Sequence, residues 1–188
     1  VAVGRSAYAD KANAIALGTN AQALGDSSIA MGRDAIATGS VAYGAAAQAG
    51  NGGTAIGDGA VATYMGGATT AGTVAGTALG KEAIADVSGA TAVGTGAQAT
   101  ATNSVALGAA SIANGSTLTQ AAYVPAGATV AGLTPVGEVS VGSAGQERRL
   151  TNLAAGAAAT DAVNVSQLQA VNATASQGWN VGVNGKAT

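Results

Sequence analysis

Cysteine, histidine and phenylalanine are absent from this 188-residue chain, which has one tryptophan, two prolines and only 9% charged residues. Each absence excludes something. Without cysteine there is no disulfide frame and no thiolate chemistry. Without histidine or cysteine, a transition-metal site would have oxygen ligands alone. Seven Lys and Arg scattered along the chain leave no nucleic-acid footprint. No apolar run approaches the roughly 18 residues of a membrane span, so no membrane contact is expected of this piece. Leu, Ile, Val and Phe together number 33, too few for an ordinary core, while Ala and Gly number 50 and 30. A net charge of −2 rules out self-repulsion as the reason. The composition calls for a thin, regular core suited to the smallest side chains.

What is present is a repeat. Val1-Ala2-Val3-Gly4, Ile15-Ala16-Leu17-Gly18 and Ile29-Ala30-Met31-Gly32 place glycines 14 residues apart. The motif returns as Val41-Ala42-Tyr43-Gly44, Thr54-Ala55-Ile56-Gly57, Thr77-Ala78-Leu79-Gly80, Thr91-Ala92-Val93-Gly94 and Val105-Ala106-Leu107-Gly108. The middle residue is Ala in all eight copies. Small residues recur three and five positions after each glycine, as in Ala7/Ala9, Ala21/Ala23 and Ala97/Ala99. Two strands of about five residues and two turns fill such a unit, so it predicts one coil of a parallel β-roll. The second turn absorbs length changes, most clearly between Tyr64 and Gly76.

On the second strand the Ala pair is expected to face inward, with Tyr8, Gln22, Ile36, Gln48, Val61, Ile84, Gln98 and Ile112 outward. The first strand is apolar on both faces. One face must be covered by something other than its own roll, which points to self-association; the motif leaves open which face that is. After Ser116 the pattern lapses. Residues 118–138 hold Pro125 and Pro135 and read as an insert, and Val139-Ser140-Val141-Gly142 restores the motif once. Then come Gln146-Glu147-Arg148-Arg149, a segment rich in helix formers from Ala157 to Val171, and a capping-box pair, Asn164 and Gln167. Val165 and Leu168 stand as a and d of a heptad whose next a is Asn172.

Catalytic readings fail on these residues. The acids Asp10, Asp26, Asp34, Asp58 and Asp86 lie in turns with no histidine to serve as base. Gly50-Asn51-Gly52-Gly53 leads into another strand and not into the helix N-terminus that a phosphate loop needs. No catalytic, cofactor-binding or metal-binding residue is assigned. Tyr8, Tyr43, Tyr64 and Tyr123 are the candidate interface contacts, with Tyr43 on a regular strand position that favours packing.

The repeat resembles the head of YadA-like trimeric autotransporter adhesins. Arg149-Leu150-Thr151-Asn152-Leu153-Ala154-Ala155-Gly156, running into Thr160-Asp161-Ala162-Val163-Asn164-Val165-Ser166-Gln167-Leu168, is similar to that family's neck. Val124 to Gly142 resembles the insert that such heads carry before the neck, and Gly178-Trp179-Asn180-Val181 resembles the opening of a further stalk module. Departures are the 13- and 23-residue spacings at Gly44–Gly57 and Gly57–Gly80, and Thr for the first residue in three units. The resemblance implies an all-β, left-handed parallel β-roll assembled as a side-by-side homotrimer, followed by a neck and a short helical coiled-coil start. The expected division is head repeats 1–117, insert 118–138, last roll strand and neck 139–163, stalk start 164–175 and a further module 176–188. It implies a bacterial cell-surface adhesin, outer-membrane-anchored in the full-length protein, with this piece lacking signal and anchor. The function implied is attachment to host extracellular matrix or cells through a multivalent trimeric surface, and a passive spacer projecting another domain is the alternative. No cofactor, nucleic acid or membrane enters that reading. Arg148, Arg149, Leu150, Leu153, Asp161, Val165 and Leu168 would form the trimer neck. There the arginines would meet Glu147, Asp161 or a neighbouring chain's acids, and the two leucines would seal the narrowing core.

Overall fold

The structure is a computed structural model that describes residues 1–38, 40–50, 52–63 and 76–177. Tyr64 lies outside the described residues, as does the further module expected at 176–188 apart from its first two residues. Two compact units are present: Val1–Gln120 with Thr134–Arg148, and Ala121–Leu133 with the residues from Arg149 on. The insert expected at 118–138 is thereby divided between them.

The first unit is the roll. One sheet stacks β1 (Ala2–Val3), β3 (Ile15–Leu17), β5 (Ile29–Met31), β7 (Val41–Tyr43), β9 (Thr54–Ile56), β11 (Thr77–Leu79), β12 (Thr91–Val93), β14 (Val105–Leu107) and β16 (Val139–Ser140). The second stacks β2 (Tyr8–Ala9), β4 (Gln22–Ala23), β6 (Ile36–Thr38), β8 (Gln48–Gly50) and β10 (Val61–Ala62). Ile84 bridges β10 to β13 (Gln98–Ala99), which pairs with β15 (Ile112–Ala113). Every pairing between these strands is parallel, and the register is the sequence repeat itself. Ala2, Ala16, Ala30, Ala42, Ala55, Ala78, Ala92 and Ala106 follow one another as partners, ending on Ser140.

Strands are two or three residues long and not five, because each straight run ends at a corner that needs left-handed backbone. Two positions after each repeat glycine the chain takes a positive φ, at Ser6, Asn20, Asp34, Ala46, Gly59, Glu82, Gly96 and Ala110. That conformation aims the N–H along the roll axis. Asn20 N–H donates to Arg5 O at 2.9 Å, Asp34 N–H to Thr19 O at 2.9 Å and Glu82 N–H to Asp58 O at 2.8 Å. The corners are therefore hydrogen-bonded from coil to coil as the strands are, which meets the demand that buried peptide groups be paired.

The repeat glycines have a second cause. At Gly18, Gly57 and Gly80 an added Cβ would lie 2.5–2.6 Å from the carbonyl oxygen of the next coil's glycine, at a φ of 130–137°. Only glycine allows coils to approach this closely.

The core is almost pure alanine. Ala16, Ala30, Ala42, Ala55, Ala78, Ala92 and Ala106 of the first sheet are wholly buried against Ala21, Ala23, Ala37, Ala62, Ala83, Ala97 and Ala99 of the second wall. Sheets packed face to face ordinarily stand about 10 Å apart; methyl groups suit a roll of few residues per coil. The inside of the first strand is thus its middle alanine, and the flanking Val, Ile and Leu point out. The fully buried Ser28 donates to Gly25 O at 2.7 Å, so its hydroxyl is satisfied within its own turn.

Among its described residues the second unit has one helix, α1 (Val165–Gln177). The helix formers Ala157–Thr160 are not helical. Asp161 explains why: its carboxylate accepts the N–H groups of Ala157 and Ala158, both at 2.9 Å, and folds that stretch into a turn.

Candidate functional site

Three surfaces remain once the core is accounted for: the outside of the first sheet, the outside of the second, and the neck. On the first sheet two columns run the length of the roll. One carries Val1, Ile15, Ile29, Val41, Thr54, Thr77, Thr91, Val105 and Val139. The other carries Val3, Leu17, Met31, Tyr43, Ile56, Leu79, Val93 and Leu107. Leu79 and Leu107 are 44% and 47% exposed, far from the burial that side chains of this kind normally reach. Tyr43 lies in register between Met31 and Ile56, a member of the apolar column.

The second sheet presents a mixed face, with Gln22, Gln48 and Gln98 interleaved with Ile36, Val61 and Ile112. At its first coil the Tyr8 hydroxyl donates to Asp10 Oδ2 at 2.6 Å. That hydrogen bond, aided by the carboxylate's charge, raises the phenol above its ordinary pKa. Tyr123 is exposed in the second unit.

Arg148 belongs to the roll. Its guanidinium donates to Ser111 Oγ at 2.9 Å, Val141 O at 2.6 Å and Ala109 O at 2.6 Å. Ser111 is wholly buried, and its own hydroxyl donates to Leu107 O at 2.8 Å. The arginine thus caps the carbonyls of the last coil, where no further coil can. Beside it lies a cavity of about 540 Å³ whose lining includes Ile112, Asn114, Ser140, Glu147 and Arg148.

The intrachain ion pairs considered for the arginines do not form. Among the described residues the salt bridges are Arg33–Asp34 and Lys81–Glu82, both between neighbours at corners. Glu147 instead accepts the N–H of Gly145 at 2.8 Å, and Asp161 accepts those of Ala158 and Ala157. Backbone N–H donors hold both carboxyls below the usual range: Glu147 through its own N–H and that of Gly145, and Asp161 through Ala158 first. A carboxylate takes the nearest peptide donors when they are preorganised by a turn.

In the neck, Asn164 and Gln167 form the capping box reciprocally. Gln167 N–H donates to Asn164 Oδ1 at 3.2 Å, and Asn164 N–H to Gln167 Oε1 at 3.2 Å. Gln167 does more than the pattern announces. Its side-chain amide grips Gly156 on both sides, donating to the carbonyl at 2.9 Å and accepting the N–H at 3.0 Å. Asn164 Nδ2 reaches Leu153 O at 3.2 Å. The neck strand is therefore pinned to the start of α1. Its apolar side chains are not covered: Leu150 and Leu168 are each 63% exposed and Val165 70%, with Leu153 partly so. No group of His, Cys, Asp and Glu among the described residues could hold a metal, and no described helix is long and apolar enough to cross a membrane.

The family model for the YadA head domain repeat matches residues 1–21, 9–35, 74–97 and 88–111, and the model for the coiled stalk of trimeric autotransporter adhesin matches 149–188. The solved collagen-binding domain of the Yersinia adhesin YadA is 31% identical, with 91% of this chain and 81% of that one aligned at a TM-score of 0.68. The chain belongs to the YadA-like trimeric autotransporter adhesins. Autotransporter adhesin EhaG of Escherichia coli O157:H7 is 52% identical over 68 residues, 35% of this chain but only 4% of that protein's length. A YadA-like domain from Burkholderia pseudomallei is 36% identical over 47% of this chain and 43% of that one, at a TM-score of 0.40. The parallel roll, the repeat and the stalk-like helix are those of the adhesin family, whose fold is structural and adhesive. Its relatives sit at the bacterial surface, anchored in the outer membrane.

Proposed function

We propose that the chain works as a homotrimeric adhesin head at the bacterial surface, attaching the cell to host extracellular matrix or host cells. The observation that carries this is the outer face of the first sheet, a mainly apolar stripe whose side chains are half-exposed or exposed, with Thr54, Thr77 and Thr91 interrupting one of its two columns. A contiguous apolar stripe repeated from coil to coil marks an interaction surface. Three copies turned so that these sheets face one another bury it, and the exposed Leu150, Leu153, Val165 and Leu168 continue the same need into the neck. Arg149, in no ion pair among the described residues, is a candidate partner for a neighbouring chain's acids.

With the first sheet turned inward, the mixed face of the second and the corners remain for a host ligand. The related Yersinia domain is described as collagen-binding, which makes a triple-helical matrix protein the first ligand to try. Three copies of each face let individually weak contacts add through effective concentration. The test is solid-phase binding of the purified chain to collagens, laminin and fibronectin, beside a chain with Gln22, Gln48 and Gln98 all changed to Glu. Saturable binding that the triple variant weakens supports adhesion by the second sheet. A correctly assembled protein that binds none of these surfaces is a spacer.

A further inference from the structure

Asn114 and Gly115 follow β15, at the point where the roll motif lapses, and a carboxylate from the far side of the insert is locked onto them. Glu138 Oε1 accepts the N–H of Gly115 at 2.7 Å. The Thr117 hydroxyl holds the other carboxylate oxygen, and Glu138's own N–H donates to the buried Ser104 Oγ at 3.0 Å. Meanwhile Ser116 N–H donates to Asn114 Oδ1 at 3.0 Å. Asn114 is exposed, and Gly115, at φ +76°, has no side chain to screen its nitrogen.

These contacts are the parts of an acyl-transfer site: a nucleophilic nitrogen with a base on its proton, and a carbonyl with a donor on its oxygen. We propose that Asn114 is a self-modification site, at which Glu138 promotes deamidation through attack of the Gly115 nitrogen on the Asn114 side-chain amide. Glu138 takes the Gly115 N–H proton as the nitrogen lone pair forms a bond to Asn114 Cγ. The electrons of the Cγ–Oδ1 double bond move onto Oδ1, where Ser116 N–H stabilises them. When they return, the Cγ–Nδ2 bond breaks, and the proton held by Glu138 leaves with Nδ2 as ammonia. The product is a succinimide ring. Water then adds to either ring carbonyl and restores the Gly115 N–H, giving aspartate or isoaspartate at position 114. Nothing is oxidised or reduced; the net change is one water in and one ammonia out. The new carboxylate stands beside Glu138 and competes for the same donors, so a head that has aged loses its clasp between the two ends of the insert.

The test compares the intact chain with a synthetic peptide spanning residues 111–117. Both are held at neutral pH and physiological temperature, and the mass change from NH2 to OH and the isoaspartate content at position 114 are read by peptide mapping over time. The folded chain is expected to convert about tenfold or more faster than the peptide, the low end of what a positioned base supplies. A folded-chain rate equal to or below the peptide's overturns the proposal. Glu138→Gln, checked for retained strand signal by circular dichroism, should bring the rate to the peptide's level or lower. A folded Glu138→Gln chain that converts as fast as the parent also overturns it. If that variant does not fold, the comparison of parent chain and peptide decides alone.

Discussion

The roll and the neck meet the same problem, a shortage of large apolar residues, in opposite ways. In the roll each buried alanine is covered by the coils above and below and by the facing wall, so one chain completes the core. In the neck the leucines and valines are larger but exposed, and the order comes from polar clasps: Gln167 on Gly156, Asn164 on Leu153, Asp161 on two peptide N–H groups. Repetition supplies neighbours for free. Where the repeat ends, the chain holds its shape with hydrogen bonds and leaves its apolar side chains exposed.

The comparison breaks most severely inside the roll. Ala92→Asp places a carboxylate where nothing can pair with it, in a position that is wholly buried. A cost above about 4 kcal/mol is expected, enough to prevent folding of the coils around it. Loss of the strand signal in circular dichroism would show this, and a native melt would mean that alanine does not face the interior. Gly57→Ala comes next. Its Cβ would lie 2.5 Å from the Gly80 carbonyl at a φ of +130°, for an expected loss of about 2–5 kcal/mol. A denaturant titration that leaves the midpoint unmoved would remove the close-approach explanation for the repeat glycine.

In the neck the same logic predicts smaller and partner-dependent effects. Leu153→Asp should lower the melting temperature in a concentration-dependent way, because it acts through association. Arg148→Ala should cost about 1–3 kcal/mol without a dependence on concentration, since it removes hydrogen bonds within one chain and leaves the roll's alanines covered. Equal effects of the two at matched concentration would contradict the division of roles. The smallest effect concerns pH. The Asp161 carboxyl is held below its usual range by the N–H groups of Ala158 and Ala157. Its contribution is therefore complete above the ordinary aspartate value of about 3.9 and fades as the pH falls through the lower folded value. The amide proton shifts of Ala157 and Ala158 should move together in that acid window and stay still in Asp161→Asn. Parent shifts that do not respond would separate the turn from the carboxylate.

Much of the roll is legible from Gly and Ala alone, because the motif returns in every coil whatever the length of the second turn, so local residue choice and long-range register are the same fact. Alanine at the middle of every first strand already limits the core to methyl groups. It does not say which side is inside, since Ala2 and Val1/Val3 are all apolar; only the facing wall of Ala21, Ala23 and their equivalents decides it. Strand length is also hidden. The left-handed corner residues include Ser, Asn, Asp, Glu, Ala and Gly, with no single signature. Outside the repeat, pairwise rules fail sooner. The Asn164–Gln167 box is visible at its three-residue spacing, but the grip of Gln167 on Gly156 spans eleven residues and leaves no mark on composition. Charge is the least legible. Arg148 beside Glu147 suggests an ion pair, whereas the unpaired carbonyls at the end of a stack are the stronger attraction.

The central claim is that one chain completes the inside of the roll and that other copies complete its outside. Sedimentation equilibrium on the purified chain across a range of concentrations tests this most directly. The account predicts a species three times the 17.4 kDa chain, persisting to low micromolar concentration and retaining the strand signal. A folded monomer at those concentrations, with the two apolar columns and the neck leucines left in water, would contradict it.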